Sequence, residues 1–273
     1  PLLDGVKTQL VLVIPPDFSA HLNAGRPAEV QAIVDGSDAN TATIILAYTS
    51  AIALSWSLDV QLQGMRVNLP VRVESRVWYN EELLSRNMIV PGLVAVIMMI
   101  VAAMLTSLTI AREWERGTME QLAATPVSRT EVVLGKLLPY LAIGLVDVVV
   151  SALLGVWMFD VPFRGNVALF MLLSTFFLIG ALGLGMVISA LGRSQLVATQ
   201  VAMVVTFLPA YLLSGFMYSI SVMPLPLQTL TYLIPARYFI VVTRGIFLKG
   251  VGPEALWPQA LLMVVFAALG LGF

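Results

Sequence analysis

The sequence predicts a multi-span α-helical membrane protein with a small α/β domain outside the bilayer. Of its 273 residues, 59% are hydrophobic and only 11% are charged, whereas soluble domains contain about 45–50% apolar and about 25% charged residues. Mean hydropathy is +0.91. Residues 1–88 alternate strand-like and helix-like segments, and apolar runs of bilayer length begin at residue 89. We therefore predict an external, periplasmic α/β domain over 1–88 and a transmembrane domain over 89–273.

The α/β domain is expected to alternate strands with helices. The expected strands are 6–14, 29–34 and 71–77, and the expected helices are 17–22 and 38–63. Asp35 and Gly36 are predicted to form the turn that closes the second strand. Asp38 or Asn40 is expected to cap the longer helix.

The segment 41–58 is ambiguous because its length approaches that of a membrane span. Threonine and serine residues dilute its apolarity, and strand-like segments flank it on both sides. A span requires roughly 20 predominantly apolar residues. We interpret this segment as a core helix of the α/β domain, with a transmembrane helix as the alternative.

The rest of the chain contains apolar runs long enough to cross a bilayer. These runs are 89–111, 137–159, 167–191, 197–213, and 257 to beyond 273. Each is near the length that a hydrocarbon core of about 30 Å requires at about 1.5 Å per residue. The stretch 214–256 is rich in proline and glycine, which predicts short re-entrant helices near the outer mouth.

A polar island, residues 111–140, separates the first two apolar runs. Its charged residues are Arg112, Glu113, Glu115, Arg116, Glu120, Arg129, Glu131 and Lys136. Gly117 permits a sharp turn, after which a short helix is expected to begin at Thr118 and to end at Pro126. A further helix is expected to start at Arg129 and to continue into the next span. Pattern alone also permits a solvated loop that only satisfies the topology.

The orientation follows from the distribution of lysine and arginine. The island and Arg193 lie on one side, and Arg164, Arg237, Arg244 and Lys249 lie on the other. The two counts are nearly even, but the density of charge favours the island as cytoplasmic. That orientation places 1–88 and 214–256 outside.

Several motifs resemble a known family. They are Arg112-Glu113-x-Glu115-Arg116-Gly117-Thr118-x-Glu120-Gln121-Leu122, Thr125-Pro126-Val127-Ser128, Gly135-Lys136, Ile14-Pro15-Pro16-Asp17-Phe18, Val34-Asp35-Gly36-Ser37-Asp38, Pro235-x-x-Tyr238-Phe239 and Arg244-Gly245-x-Phe247-Leu248-x-Gly250. Their residues and order resemble permease subunits of ATP-binding-cassette (ABC) exporters of the ABC-2 type. The resemblance covers nearly the whole chain.

The resemblance implies a six-span fold in which the external domain follows the first span, so that span is expected before residue 1. It also implies a cytoplasmic coupling helix at Gly117 to Pro126, within a coupling region of about 112–136. The expected function is export of an amphipathic drug-like or lipid substrate by alternating access. A permease-like domain fused to or anchoring an ATPase, with a regulatory role, is the alternative.

The resemblance also implies the partners and the location. An ABC ATPase subunit or domain would bind ATP and Mg²⁺, because this sequence contains no G-x-x-x-x-G-K-[ST] loop. The other expected partners are a second permease half, membrane lipid and a periplasmic adaptor, in a bacterial inner membrane. No basic stripe suggests nucleic acid, and the chain itself is expected to hold no cofactor.

The candidate site residues fall into separate groups. The coupling residues are Arg112, Glu113, Glu115, Arg116, Gly117, Thr118, Glu120, Gln121 and Pro126, and the outer-mouth residues are Pro235, Tyr238 and Arg244. The acids and Arg116 of the coupling group are either contacts to the partner or contacts within the island. Asp147 is the only acid inside a predicted span, where a charge costs about 2.5–3.5 kcal/mol. It is either part of a translocation path or a structural acid bonded to a neighbouring helix.

Catalytic and metal-binding functions are not indicated. The chain has no cysteine and a single histidine, His21, so neither a thiol nucleophile nor a clustered metal site is expected. An intramembrane enzyme is disfavoured because no Ser/Lys or His/Asp pair recurs within the spans. Ala181, Gly185 and Ser189 form a small-residue stripe, which we assign to packing within the subunit, with a dimer interface as the alternative.

Overall fold

The computed structural model describes residues 8–24, 28–37, 39–62, 71–80, 84–192 and 194–272. The chain divides into two compact units, residues 1–88 and 89–273. The predicted fold class is confirmed, because long apolar helices dominate the chain and a small sheet with helices forms the first unit.

The first unit contains a three-stranded sheet with a long helix packed against it. Its elements are β1 (Leu10–Val13), α1 (Phe18–Asn23), β2 (Ala28–Asp35), α2 (Ala39–Leu62) and β3 (Val71–Trp78). The central strand β2 pairs antiparallel with β1 and parallel with β3. Parallel neighbours require a crossover connection, and α2 supplies it. Ala32 and Val34 of β2 are fully buried.

The predicted segments of this unit are present with shifted ends. β1 is shorter than predicted and ends before Pro15 and Pro16, which cannot donate to a sheet. Ser37 N donates to Asp35 Oδ1 at 2.9 Å in the predicted turn. The residues 6–7, the predicted cap Asp38 and the predicted helix end Gln63 lie outside the described residues. The alternative cap Asn40 is wrong, because α2 begins at Ala39 and Asn40 lies within the helix. The packing of α2 on β2 and β3 is what the core-helix interpretation predicts.

The second unit is helical. Its helices are α3 (Ser85–Arg116), α4 (Thr118–Ala123), α5 (Arg129–Trp157), α6 (Val167–Gly192), α7 (Gln195–Leu208), α8 (Leu225–Thr231), α9 (Pro235–Arg244) and α10 (Pro253–Gly272). π-Helical turns at Pro209–Leu213 and Gly245–Lys249 extend α7 and α9. Within the described residues, five helices can cross a membrane, or up to six if α8 and α9, bent by 79°, count as one span. The bent pair agrees with the short helices predicted for 214–256.

The helix α6 is the centre of this unit, since α5, α7, α9 and α10 all pack against it. Gly183 lies so close to α10 that a Cβ would come within 2.5 Å of Gly270 O. On its α3 side, Thr106 Oγ1 donates to Leu182 O at 2.8 Å, and Ser189 Oγ accepts from Ala111 N at 2.8 Å. The small-residue stripe is therefore used for packing within the subunit.

The short helix predicted over 117–126 is shorter in the structure. Residues 112–116 belong to α3, and α5 already begins at Arg129, so the separate helix is α4 alone, Thr118–Ala123. Gly117 has φ 68°, and this left-handed conformation ends α3. Residues 124–128 are not helical, so α4 ends before Pro126, which disfavours a helical conformation in the residue preceding it. The predicted range of 117–126, and the wider region of 112–136, therefore contain more than this one short helix.

Candidate functional site

The polar island folds as an α3–α4–α5 elbow with well-defined joints. At the first joint, Gly117 N donates to Trp114 O at 3.2 Å, and the left-handed Gly117 redirects the chain into α4. At the second joint, Ser128 caps α5: Ser128 N donates to Glu131 Oε2 at 2.8 Å, and Glu131 N donates back to Ser128 Oγ at 3.4 Å. This capping box satisfies backbone donors that the helix start leaves open.

Glu113 connects the three helices of the elbow. Its carboxylate accepts a hydrogen bond from Thr118 Oγ1 at the start of α4. It also pairs with Lys136 Nζ of α5 at 3.1 Å, and the same Lys136 Nζ donates to Thr109 O of α3 at 3.4 Å. The partly buried position of Glu113 and Lys136 reduces the screening of this pair by water. Glu113 is thus an internal contact of the elbow.

Glu115 connects the elbow to α7. Gln195 N, the first backbone amide of α7, donates to Glu115 Oε1 at 2.7 Å, and Gln195 Nε2 donates to the other carboxylate oxygen. Arg112 Nε approaches Gln195 Oε1 at 3.4 Å. The turn before α7 therefore lies at the same end of the helices as the island, as the sequence predicted. Arg193, also predicted there, lies outside the described residues.

Other island residues face outward. Arg116, Glu120 and Gln121 are exposed, and their side chains make no hydrogen bond or salt bridge to any described residue. Pro126 is also exposed in the loop between α4 and α5. Beside α4 lies an open groove of about 490 Å³, whose lining includes Gln121, Leu122 and Val132. These residues form a surface suited to contact with another protein.

The opposite end of the helices contains the predicted outer-mouth residues. Pro235 is buried at the start of α9, and Tyr238 Oη donates to Tyr232 O at 2.6 Å. Arg244 Nη1 and Nη2 donate to Gly215 O and Phe216 O, both at 3.4 Å. These two bonds join α9 to the left-handed turn at Gly215.

Asp147 lies half-buried in α5. No residue in the described part of the chain donates a hydrogen bond to its carboxylate or forms an ion pair with it. The interpretation as a structural acid bonded to a neighbouring helix therefore has no support. Its surroundings are a cavity between α3, α5 and α6.

Comparison with known proteins agrees with this architecture. The sequence profile described as ABC-2 family transporter protein matches residues 2–273. The chain belongs to the ABC-2 transporter family. As a member of this family, it is a membrane permease subunit rather than an enzyme.

Relatives of this ABC-2 chain carry transporter names. It is 38% identical to the probable multidrug ABC transporter permease YbhS of Escherichia coli (strain K12) over 268 residues, covering 97% of this chain and 71% of the relative. It is 32% identical to YbhR, a second probable multidrug ABC transporter permease of that strain, covering 98% and 72%. ABC transporter G family member 20 of Dictyostelium discoideum is 30% identical over 77% of this chain and 29% of its own length.

Some contacts of the ABC-2 elbow involve residues that the sequence does not mark as functional. Neither Gln195 nor Thr109 was a candidate, although both bond to charged groups of the island. A glutamine that begins a helix carries no signal of its distant partner. The only hint in the sequence was the expected position of the 192–195 turn on the island side.

Proposed function

We propose that this chain is the permease subunit of an ATP-driven exporter that moves an amphipathic drug-like or lipid cargo out of the cytoplasm or inner leaflet. An ABC ATPase, as a separate subunit or a fused domain, binds ATP and Mg²⁺ and docks on α4. Two permease halves work as a dimer in a bacterial inner membrane. Alternating access then follows from rigid-body motion that the ATPase applies to α4.

The observation that supports this proposal is that some charged residues of the elbow bond its helices together, whereas others are exposed on its surface. Glu113 and Glu115 bond α3 to α4, α5 and α7, whereas Arg116, Glu120 and Gln121 expose their side chains to the solvent. A force on α4 is thus passed to helices of membrane-spanning length through side-chain bonds. The exposed charges supply the complementary groups that a docking partner needs.

The cargo class is supported by the apolar lining of the helices. A groove of about 260 Å³ between α5 and α6 is lined by Leu153, Val156, Phe163, Phe170, Met171 and other apolar residues. Such walls suit the hydrocarbon part of an amphipathic molecule. The names of the Escherichia coli relatives, which call them probable multidrug permeases, point to the same class.

The test is the coupling of ATP hydrolysis to transport in the reconstituted complex. We expect the double variant Arg116→Ala/Glu120→Ala to lower the rate of cargo transport per permease by at least about tenfold at limiting ATPase concentration, because losing docking contacts of about 1.4 kcal/mol changes complex formation that much. Its thermal unfolding midpoint should stay unchanged, because neither side chain bonds to a described residue.

Glu254→Ala is the matched control, since Glu254 is an exposed acid at the start of α10, at the opposite end of the helices. It should leave both transport and hydrolysis unchanged. If the double variant transports as efficiently as the unaltered protein, the docking role of α4 is wrong. If the complex hydrolyses ATP but moves no cargo at all, a regulatory role replaces the exporter function.

A further inference from the structure

A cavity of about 280 Å³ lies between α3, α5 and α6. Its apolar walls include Met98, Val101, Leu105, Ile143, Val150, Leu178 and Leu182. Asp147 and Tyr140 are the only residues of its lining with polar side chains. The volume is close to the lower limit of small-molecule sites, about 300 Å³. The cavity is only partly enclosed, so a ligand can extend beyond it.

The negative charge in this cavity has no matching positive charge on the helices around it. The sequence of α6 contains no lysine or arginine, and neither does α3 between Arg86 and Arg112 or α5 beyond Lys136. Among the described residues, no group forms a hydrogen bond or ion pair with the Asp147 carboxylate. The site is therefore complete only with a cation from outside these helices, or with a proton.

The lack of a positive charge near Asp147 matters because of the position of this residue along α5. It lies midway between Leu137 and Trp157 of α5, about 15 Å from each at about 1.5 Å rise per residue. Ionisable groups at mid-membrane depth are costly and are kept where they face a partner or a wet cavity. A lipid headgroup that reached Asp147 would have to leave the interface and cross half of the hydrocarbon layer.

The chemistry of the lining selects the kind of cation. Inorganic cations such as Ca²⁺ need about six or more oxygen ligands. The cavity offers side-chain oxygens only from Asp147 and Tyr140. An organic cation with apolar substituents fits better, because its charge needs only one counter-ion and its hydrocarbon surface matches the apolar walls.

A second cavity connects this site to the polar island. It has a volume of about 260 Å³ and shares Leu105 and Tyr140 with the first cavity. Its other lining residues include Arg112, Glu113 and Lys136, at the α3–α4–α5 elbow. Leu105 and Tyr140 therefore belong to the walls of both cavities. The cavity that contains Asp147 thus adjoins a cavity at the polar end of the helices.

We propose that the cavity between α3, α5 and α6 binds an amphipathic organic cation, with the Asp147 carboxylate as its counter-ion. The proposal rests on the exporter function for its role as a cargo site, and it names the charge of that cargo. The binding itself requires neither ATP nor the partner ATPase.

Direct binding to the intact permease in lipid nanodiscs, without nucleotide, tests the proposal. The probe is radiolabelled tetraphenylphosphonium, a permanent cation with an apolar surface, and tetraphenylborate serves as an anion of nearly the same size. We expect saturable binding of the cation, a rise in Kd of about tenfold or more with Asp147→Asn, and no saturable binding of the anion. Ile143→Trp should also weaken binding, because the indole ring is larger than the isoleucine side chain and narrows the cavity, while the Asp147 carboxylate remains.

Asp160→Asn is the matched control, since it removes a carboxylate just beyond the end of α5 and outside the cavity. Asp160 has φ 50°, a conformation that asparagine tolerates, so this variant should bind the probe normally. Asp147→Asn removes a charge from a span, so folding should be retained, which gel filtration checks.

Unchanged affinity of Asp147→Asn, equal binding of tetraphenylborate, or no saturable binding by the unaltered permease would each overturn the proposal. The last result, combined with loss of transport in Asp147→Asn, would assign the carboxylate to a proton instead. Since no nucleotide is present, these outcomes are independent of the coupling experiment on Arg116 and Glu120. If the unaltered permease binds the cation and the Arg116→Ala/Glu120→Ala variant transports normally, only the docking role of α4 is rejected.

Discussion

At the scale of single residues, Gly185 shows how closely the membrane helices approach one another. A Cβ at this position would lie 2.1 Å from Thr106 Oγ1 and 2.3 Å from the backbone oxygen of Ala103. Both atoms belong to α3, and the backbone oxygen cannot rotate away. Only glycine allows α3 and α6 to meet at this distance, which is the role of small residues in membrane helix packing.

We therefore expect Gly185→Ala to destabilise the permease by about 1–3 kcal/mol, the usual cost of overpacking. Gly135→Ala is the matched control, because nothing lies within 4 Å of the added Cβ. It should be neutral or stabilising by up to about 1 kcal/mol, since alanine favours helix more than glycine. Thermal unfolding in detergent measures both, and equal midpoints for the two variants would contradict the close α3–α6 contact.

At the scale of elements, the direction of α4 depends on one joint. Gly117 has φ 68°, and nothing lies within 4 Å of a Cβ added to it. A side chain at residue 117 would therefore meet no neighbouring atom. The left-handed backbone conformation alone limits which residues can replace Gly117. A left-handed residue other than glycine costs roughly 1–2 kcal/mol, although asparagine adopts the conformation more readily.

Gly117→Val should accordingly lower transport per ATP by about five- to thirtyfold, the population change that 1–2 kcal/mol produces. Gly117→Asn should retain most of the coupling, because it keeps the left-handed turn. The measurement is cargo uptake against phosphate release in proteoliposomes. Similar losses in both variants would mean that the turn conformation does not determine how α4 is presented.

At the scale of the whole molecule, the absence of cysteine in the sequence allows the orientation to be measured directly. Glu120 and Tyr218 are exposed at opposite ends of the second unit, and Ser19 is exposed in the first unit. Single cysteines replacing Tyr218 and Ser19 should react with an impermeant maleimide on intact cells. A cysteine replacing Glu120 should react only after the membrane is opened. Labelling of Glu120→Cys and Ser19→Cys from the same side would reject the proposed topology.

The sequence was sufficient to predict most elements of the fold. Long apolar runs, interrupted by proline and glycine, identified the spans and the bent pair α8 and α9, because bilayer thickness fixes the length of a span. The motifs around Arg112 and Gly117 identified the elbow. These signals are local, so each can be recognised without knowledge of the rest of the chain.

Contacts between distant residues could not be predicted in the same way. The bonds from Gln195 to Glu115 and from Arg244 to the carbonyls of Gly215 and Phe216 depend on which helices are neighbours. The absence of a bonding partner for Asp147 among the described residues is equally a property of the assembled helices. A sequence shows that a charge needs a partner, and only the fold shows which groups lie within reach.

The backbone bonds that Ser189 accepts have a mechanical consequence. Its hydroxyl oxygen accepts hydrogen bonds from Ile110 N at 3.0 Å and Ala111 N at 2.8 Å. α6 is therefore bonded to the backbone of α3, which cannot change rotamer as a side chain can. Slippage between these two helices would break both bonds at once. We therefore expect α3 and α6 to move together as one rigid body. The conformational change of transport should occur at other helix–helix interfaces.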